Sequence, residues 1–224
     1  MSDFVRPPST QEAVLAELRR RIAAGDLRPG EPIRAEQVGA ELGVSRVPVR
    51  EALRILEGEG QVVYEPHRGS FVAELSLADL REIYRMRELL EAEAIRAAVP
   101  LDDDALERLA DHVADADAAS ARGDLTAYAA ANRRFHLDLY AAAGRPLLAR
   151  TIRRLWDASD AYRALYANSG DHRAAAAEHH RAILAALADG DADAAVAAQD
   201  RHREHALEAL AAVLGDAGAP AGRR

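Results

Sequence analysis

The stretch AEQVGAELGVSRVPVREALRILEGEGQVVYEPHRGSFV, residues 35–72, decides the fold of the first part of this chain. Val38 and Leu42 mark the apolar face of a short helix, which ends at Gly43 because glycine accepts a left-handed backbone. Ser45 stands where its side chain can cap the N-terminus of a second helix. A helix, a tight turn and a further helix predict a helix-turn-helix.

Apolar and basic side chains occupy different faces of the second predicted helix. Pro48 is tolerated near its start, because the first N–H groups of a helix have no helical partner. The apolar positions follow the i, i+3, i+4, i+7 spacing of a buried face and are Val49, Ala52, Leu53 and Leu56. The basic positions recur every fourth residue and are Arg46, Arg50 and Arg54.

A hairpin with a basic tip is predicted after this helix. Residues 61–65 and 70–73 are rich in β-forming side chains, and they flank the turn Pro66-His67-Arg68-Gly69. Helix, turn, helix and hairpin together predict a winged helix-turn-helix, whose second helix can enter a DNA major groove. A solvated helix face is the ordinary explanation of such arginines, but the agreement of turn, cap, apolar face and wing favours DNA binding.

The segments LGVSRVPVREAL, LEGEG and PHRGSFV resemble the N-terminal domain of the GntR family of bacterial transcription regulators. The resemblance, dense over residues 14–72, implies that the recognition helix begins at the Ser-Arg-x-Pro-x-Arg run. It also implies that the DNA-contacting residues are Ser45, Arg46, Pro48, Arg50, Arg68 and Gly69. Some members have an arginine where this chain has Glu36, so that contact is not transferred.

Length and composition restrict the class of protein. The 224 residues suit one or two domains, and the absence of cysteine excludes disulfides and thiolate metal sites. No apolar run is long enough to cross a bilayer, so we expect a cytoplasmic protein without membrane contact. The net charge of −8 predicts weak non-specific DNA binding, so useful operator affinity would require a homodimer.

Helical periodicity replaces the strand signals from Ser76 onward. Six amphipathic helices are predicted, over residues 76–100, 102–123, 124–144, 146–168, 171–190 and 191–215. The predicted fold is therefore mainly α, with a winged domain over residues 1–73 and an antiparallel helical bundle over residues 76–215. The bundle would serve effector binding and dimerisation, and residues 216–224 are predicted to be a disordered tail.

Polar residues interrupt the predicted apolar faces of three bundle helices. Asn132 and His136 share one face of the third helix, His180 lies on the apolar face of the fifth, and His202 lies on that of the sixth. By the same wheel, the neighbouring His179 and His205 point outward. An interior histidine is usually a hydrogen-bonded core residue, but four converging polar residues predict a metal site. Imidazole ligands suit Zn, Ni, Co or Fe.

A charged pair also falls on an apolar face of the first bundle helix. Ile83, Arg87 and Leu90 share this face, and Glu91 lies one turn after Arg87. An internal i, i+4 ion pair is the simpler interpretation. The functional one is an arginine that faces a cavity and binds a carboxylate through two hydrogen bonds.

The segments IYRMRELLEAEAIRAAV, ANRRFHLDLYAAAGRPLL and AEHHRAILAALADGDADAAVAAQDRHREHAL resemble the FCD effector domain of FadR-type GntR regulators. The resemblance implies metal ligands at Asn132, His136, His180 and His202, with asparagine in place of the commoner aspartate. Zinc is the first expectation, with Ni, Co, Fe and Mn as alternatives. The resemblance further implies effector contacts at Arg87 and Tyr84, and a small carboxylate as effector.

The sequence therefore predicts a homodimeric repressor that binds a palindromic double-stranded DNA operator and responds to a small organic acid. The first alternative is a helical metalloenzyme with an accessory winged domain. A di-iron bundle would need Glu-x-x-His pairs, and the residues three after Glu91 and Glu178 are Ala94 and Arg181. The second alternative is a DNA-binding and dimerisation protein whose bundle senses nothing.

Overall fold

The order of elements in the computed structural model, which describes residues 8–167 and 169–216, follows the predicted winged domain and helical bundle. The first part contains α1 (Thr10–Ala24), β1 (Pro32–Ile33), α2 (Ala35–Leu42), α3 (Arg46–Gly58), β2 (Val62–Glu65) and β3 (Gly69–Val72). The second part contains α4 (Leu77–Ala98), α5 (Asp103–Ala121), α6 (Leu125–Ala141), α7 (Pro146–Ala158), α8 (Asp160–Ala167), α9 (Gly170–Ala188) and α10 (Ala192–Asp216).

The wing is a three-stranded antiparallel sheet in the order β1-β3-β2. The predicted hairpin is confirmed, with Val62 opposite Val72 and a turn in which His67 has φ 65° and Gly69 has φ 100°. Strand β1 was not predicted, because two residues are too few to show an alternating pattern. Its Pro32 lies opposite Phe71, in a stretch whose Pro and Gly content predicted only turns.

Ser45 occupies the N-cap of α3 with an extended backbone, but its side chain makes no capping hydrogen bond, contrary to the prediction. A capping side chain accepts from the second or third N–H of the helix. The third residue here is Pro48, which has no N–H to donate. The other predicted ends of the motif are confirmed: α2 ends at Gly43 with φ 67°, and Ser9 begins α1 with a capping box.

Two helix boundaries in the bundle differ from the prediction. The expected helix over 146–168 is broken at Ser159, whose hydroxyl donates to the carbonyls of Leu155 and Trp156 and so competes with the helical hydrogen bonds. The cap of α9 is Ser169, whose oxygen accepts from the backbone N–H of His172, and the predicted cap Asp171 lies inside the first turn.

The predicted tail over 216–224 lies outside the described residues, except for Asp216, which ends α10. The first seven residues of the chain are also outside the described part.

Three hydrophobic clusters lie within the described residues, and the smallest packs α5 against α6 around Tyr128. The first joins α1 and α3 to side chains of the bundle, including Leu80, Tyr162 and Leu210. The backbone N–H of Leu75 donates to the hydroxyl of Tyr162 at 2.5 Å, so the segment between the two parts is fixed to α8. The second cluster fills the bundle around Phe135.

None of the helices in the described part of the chain combines the length and hydropathy that crossing a membrane requires.

Candidate functional sites

The exposed face of α3 carries the predicted DNA-contacting arginines. The apolar face of the helix is buried as predicted and packs on α1 and α2. This packing leaves Arg46, Arg50 and Arg54 exposed on the opposite side, together with Val47. The first turn of α3 therefore offers both charge and an apolar surface to a ligand outside the protein.

Acidic neighbours pair with these cations in the free protein. Arg46 donates to Glu36 of α2 at 3.3 Å, and Arg54 donates to Glu51 at 2.8 Å. Arg68 at the wing tip pairs with Glu65. Exposed ion pairs contribute little to stability, so DNA phosphates can displace these carboxylates. Glu36, which departs from the family pattern, would thus compete with a DNA phosphate for Arg46.

Three histidines from three helices meet in the interior of the bundle. His136 of α6, His180 of α9 and His202 of α10 are buried, and their nearest ligand atoms lie within 4.8 Å of one another. The Nε2 atoms of His136 and His180 are 3.2 Å apart. Two nitrogens that each lie about 2.0–2.1 Å from a tetrahedral zinc ion would be separated by roughly 3.3 Å. The cluster therefore fits a transition-metal ion.

The protonation state of the cluster also fits a metal. Burial lowers the pKa of His180 to about 3. Burial likewise places the pKa of His136 and of His202 well below the usual range, and neighbouring histidine and arginine side chains add to the effect. All three imidazoles are therefore neutral at physiological pH, which is the form that binds metal. Asn132 lies one turn before His136, half-buried on the wall of a cavity.

His179 and His205 do not simply point outward as predicted. Both are half-buried, and the ring of His179 lies 5.8 Å from that of His202 and 5.5 Å from that of His205. His172 of α9 continues the series, with its ring stacked 4.6 Å from that of His205. The packing of α9 against α10 brings these rings together, which a wheel for one helix cannot show.

Arg87 and Glu91 form the predicted i, i+4 ion pair, at 2.8 Å and fully inside the protein. Glu91 also accepts from three groups that the sequence did not predict, namely Trp156 Nε1 at 2.8 Å, Gln199 Nε2 at 3.1 Å and Arg203 Nη1 at 3.1 Å. One carboxylate thus lies between two buried guanidinium groups. The set carries a net positive charge away from water.

Opposing effects determine the charge of Glu91. Burial alone would raise its pKa, but Arg87 and Arg203 outweigh burial, and the pKa of Glu91 lies below its usual value. The guanidinium carbon of Arg87 lies 4.3 Å from the centre of the Trp156 ring and 4.7 Å from that of Tyr84. Within the described residues, no group hydrogen-bonds to the buried Nη1 of Arg87.

Sequence reasoning missed Arg203, although a signal for it exists. The buried positions Gln199, His202, Arg203 and Ala206 of α10 follow the spacing i, i+3, i+4, i+7. A complete wheel of α10 would therefore have placed this arginine beside His202 on the inward face.

A cavity of about 270 Å³ brings several of the predicted effector and metal residues together. Tyr84, Arg87, Asn132 and His202 line it, and Trp156 and Arg203 complete its inner wall. His136 and His180 do not line it, although their rings lie 4.8 Å and 4.7 Å from that of His202. Helix α1 of the winged part supplies further lining residues. None of the residues predicted to contact DNA lines it.

Comparisons with known proteins assign families to both parts. The model of the "FCD domain" matches residues 82–205, and that of "Bacterial regulatory proteins, gntR family" matches residues 10–72. A relative from Paenarthrobacter nicotinovorans, named "Probable D-xylose utilization operon transcriptional repressor", is 32% identical over 206 residues. The match covers 90% of this chain and 91% of that protein.

Solved structures agree with this assignment over nearly the whole chain. The chain is similar to McbR/YncC of E. coli, with a TM-score of 0.83 and 26% identity, over 95% of this chain and 100% of that one. It is also similar to a GntR transcriptional regulator from Rhodococcus sp. RHA1, with a TM-score of 0.79 and 28% identity. That match covers 93% of this chain and 99% of the other.

Proposed function

The chain belongs to the GntR family of bacterial transcription regulators and binds DNA, and we propose that it is a repressor controlled by a small organic acid. The matched families and relatives are transcription regulators, so a helical metalloenzyme is not favoured. The name of the P. nicotinovorans relative contains the word repressor, which supports the proposal that this chain also represses transcription.

The proposed ligand class rests on the surroundings of Arg87. Its Nη1 is buried at the cavity without a hydrogen-bond partner among the described residues, while its Nε is held by Glu91. A buried cation with a vacant donor favours an anion, because leaving such a group unpaired costs free energy. A carboxylate meets this need by accepting from the guanidinium group. Tyr84, stacked on Arg87, would fix its orientation.

The metal ligands of this proposal are His136, His180 and His202, with Asn132 as the fourth. Zinc is the expected ion, since neutral imidazoles are among its usual ligands. When bound, the ion supplies a second positive charge close to Arg87. None of these four side chains is an anion, so the carboxylate of an effector would offset the charge of the ion.

DNA binding is assigned to the first turn of α3 and to the wing. In this assignment Arg46 and Arg50 contact bases or phosphates, Ser45 contacts a phosphate, and Pro48 shapes the first turn. The hydroxyl of Ser45, which makes no capping bond, is exposed for such a contact. At the wing the contacts come from Arg68 and Gly69, whose turn projects beyond the sheet.

A homodimer is proposed to bind a palindromic operator, because two winged domains would be needed for useful affinity. The bundle carries exposed apolar side chains, namely Met86 and Leu89 on α4 and Leu147 at the start of α7. The two helices pack against each other, and Arg145 next to Leu147 pairs with Glu93 of α4. This surface is the proposed dimer contact of the helical domain, residues 76–215, and the winged domain is assigned to residues 1–73.

Fluorescence of Trp156 tests the ligand class directly, since it is the single tryptophan of the chain and lines the cavity. Wild type, Arg87→Gln and Arg85→Gln would be titrated with a panel of small carboxylic acids at constant ionic strength. Arg85 is the matched control, because it is exposed on the same helix and pairs with Glu88 one turn away. We expect the emission to change in wild type and in Arg85→Gln but not in Arg87→Gln. Equal responses in all three proteins would contradict the proposal.

A further inference from the structure

Helix α1 of the winged domain has two faces with different surroundings. One face is buried in the shared hydrophobic cluster and consists of Val14, Leu15, Leu18 and Ile22. The other face lines the cavity and consists of Ala16, Arg19, Arg20, Ala23 and Ala24. The same helix packs on the recognition helix α3 and on bundle helices α6 and α8. The DNA-binding domain therefore supplies one wall of the cavity.

Arg19 connects this wall to the recognition helix. Its Nη2 lies 2.5 Å from Oε1 of Glu59 and its Nε lies 3.3 Å from Oε2, so the guanidinium group holds the carboxylate with two hydrogen bonds. Glu59 is the C-cap residue of α3. Its carboxylate also accepts from the amide of Gln61, at the start of the wing hairpin. One cavity-facing side chain thus reaches both DNA-reading elements.

The position of Glu59 makes it dependent on Arg19. A carboxylate at a helix C-terminus faces the negative end of the helix dipole, which is unfavourable. Arg19 offsets this repulsion, and its ion pair is only partly screened, because the Glu59 side chain is 19% exposed. An anion in the cavity would compete with Glu59 for the same guanidinium group.

We propose that Arg19 is the effector contact through which the cavity acts on the recognition helix, and that the effector is a dicarboxylate. One carboxylate binds at Arg87 on the inner wall, and the second binds Arg19 on the α1 wall. Arg19 then no longer holds Glu59 fully, and the end of α3 and the wing lose their tie to α1. This inference rests on the carboxylate cavity of the proposed function and adds a second anionic group and a route to DNA.

Thermodynamic linkage gives the proposal a distinctive signature. If the anion and Glu59 compete for Arg19, removal of the Glu59 charge must tighten anion binding. Removal of Arg19 must weaken binding of a dicarboxylate but leave a monocarboxylate unaffected. A purely structural ion pair would produce neither difference between ligands.

The experiment uses succinate and butyrate, which have four carbons each and differ by one carboxylate. The full-length protein, loaded with zinc and held at constant ionic strength, would be titrated while Trp156 emission is recorded. The variants are Arg19→Gln and Glu59→Gln. Glu57→Gln is the control, because Glu57 is exposed near the end of the same helix, two residues before Glu59. Operator affinity without any acid is measured for each protein by fluorescence anisotropy of labelled DNA.

We expect Arg19→Gln to weaken succinate about fivefold to tenfold and to leave butyrate within about twofold, as the loss of one partly exposed charged hydrogen bond predicts. Glu59→Gln should tighten succinate, and Glu57→Gln should not. Without acid, Arg19→Gln and Glu59→Gln should both shift operator affinity toward that of succinate-saturated wild type. Arg19→Lys keeps the charge without the two-bond geometry and should fall between wild type and Arg19→Gln.

Two results would overturn the inference while sparing the proposed function. In the first, succinate binds wild type and Arg19→Gln equally. In the second, Glu59→Gln changes operator affinity no more than Glu57→Gln does. A wild type in which neither acid alters Trp156 emission, and in which Glu59→Gln leaves operator affinity unchanged, would remove the carboxylate cavity and this inference together. Unchanged circular dichroism spectra establish that each variant is folded.

Discussion

Arginines of the recognition helix and arginines of the bundle occupy opposite environments. The side chains of Arg46 and Arg54 are 65% and 73% exposed, whereas those of Arg87 and Arg203 are 3% and 5% exposed. On α3 the apolar stripe provides the stability and the charges remain in water. In the bundle the charges replace part of the apolar core. The same residue type thus lies in water in one region and is enclosed by other side chains in the other.

The two environments predict different effects of substitution on binding and on stability. Replacing an exposed arginine removes few contacts, so its effect appears in DNA binding. A buried ion pair is seldom the most stable choice for a core, because the desolvation of two charges offsets much of their attraction. The cluster around Glu91 therefore costs stability relative to an apolar core, which is consistent with the proposed ligand-binding role of Arg87.

The largest expected effect comes from breaking the buried cluster. Glu91→Ala leaves Arg87 and Arg203 without their shared carboxylate and should lower the free energy of unfolding by about 3–5 kcal/mol. Glu88→Ala is the matched control, because Glu88 pairs with Arg85 on the exposed side of the same helix. Urea unfolding measures both. Equal losses in the two variants would show that the bundle does not depend on its internal charges.

Removal of metal ligands is the next largest expected effect. His136→Ala, His180→Ala and His202→Ala should each lower zinc affinity by at least about a hundredfold, since even outer-shell changes reach that range. Chelation should lower the melting temperature of the wild type, because metal binding stabilises the native state. Elemental analysis of the purified variants measures the bound zinc.

Two neighbouring histidines provide the control for that experiment. The ring of His179 lies 5.8 Å from that of His202, the ring of His205 lies 5.5 Å from that of His179, and neither residue is a member of the cluster. Their alanine variants should retain the metal. Loss of zinc from His179→Ala, with retention in His180→Ala, would contradict the assignment.

An effect of intermediate size is expected on operator binding when an exposed arginine of α3 is replaced. Arg50→Ala should weaken operator binding by about 1–3 kcal/mol, the range of a lost base contact, and leave the melting temperature unchanged. Arg54→Ala, one turn farther from the first turn of α3, should have a smaller effect. A gel-shift titration at fixed salt measures both affinities. A fall in thermal stability with no change in operator affinity would mean that Arg50 stabilises the fold and does not contact the operator.

Glu36→Gln should produce the smallest effect and in the opposite direction. The substitution frees Arg46 from its exposed ion pair and removes a negative charge from the DNA-facing surface. Operator affinity should rise by about twofold to fivefold, and more at low salt, because exposed charges are strongly screened. Weaker DNA binding in this variant would mean that Glu36 positions Arg46 for the DNA.

Local patterns were sufficient to predict the winged motif and much of the bundle. The stripe through Val49 and Leu53, the turn at Gly43 and the hairpin are all set by neighbours in sequence. The family comparison and the helical architecture confirm that fold class. The buried histidines were predicted for the same reason, since each lies in phase with apolar residues of its own helix.

Features that depend on packing between helices could not be predicted in this way. Three of the four donors to Glu91 come from other helices, α7 and α10, and the sequence separation of Glu91 and Arg203 is 112 residues. The wall that α1 contributes to the cavity depends on how the winged part packs on α6 and α8. No periodicity within one helix carries that information.

Operator binding with and without a bound carboxylate shows whether the cavity at Arg87 controls the winged domain. Labelled operator DNA would be titrated with wild type and with Arg87→Gln, each with and without saturating succinate, at matched ionic strength. We expect succinate to lower the operator affinity of the wild type by about fivefold or more, the usual range of coupling between sites, and to leave that of Arg87→Gln unchanged. An operator affinity that succinate changes equally in both proteins, or in neither, would contradict this expectation.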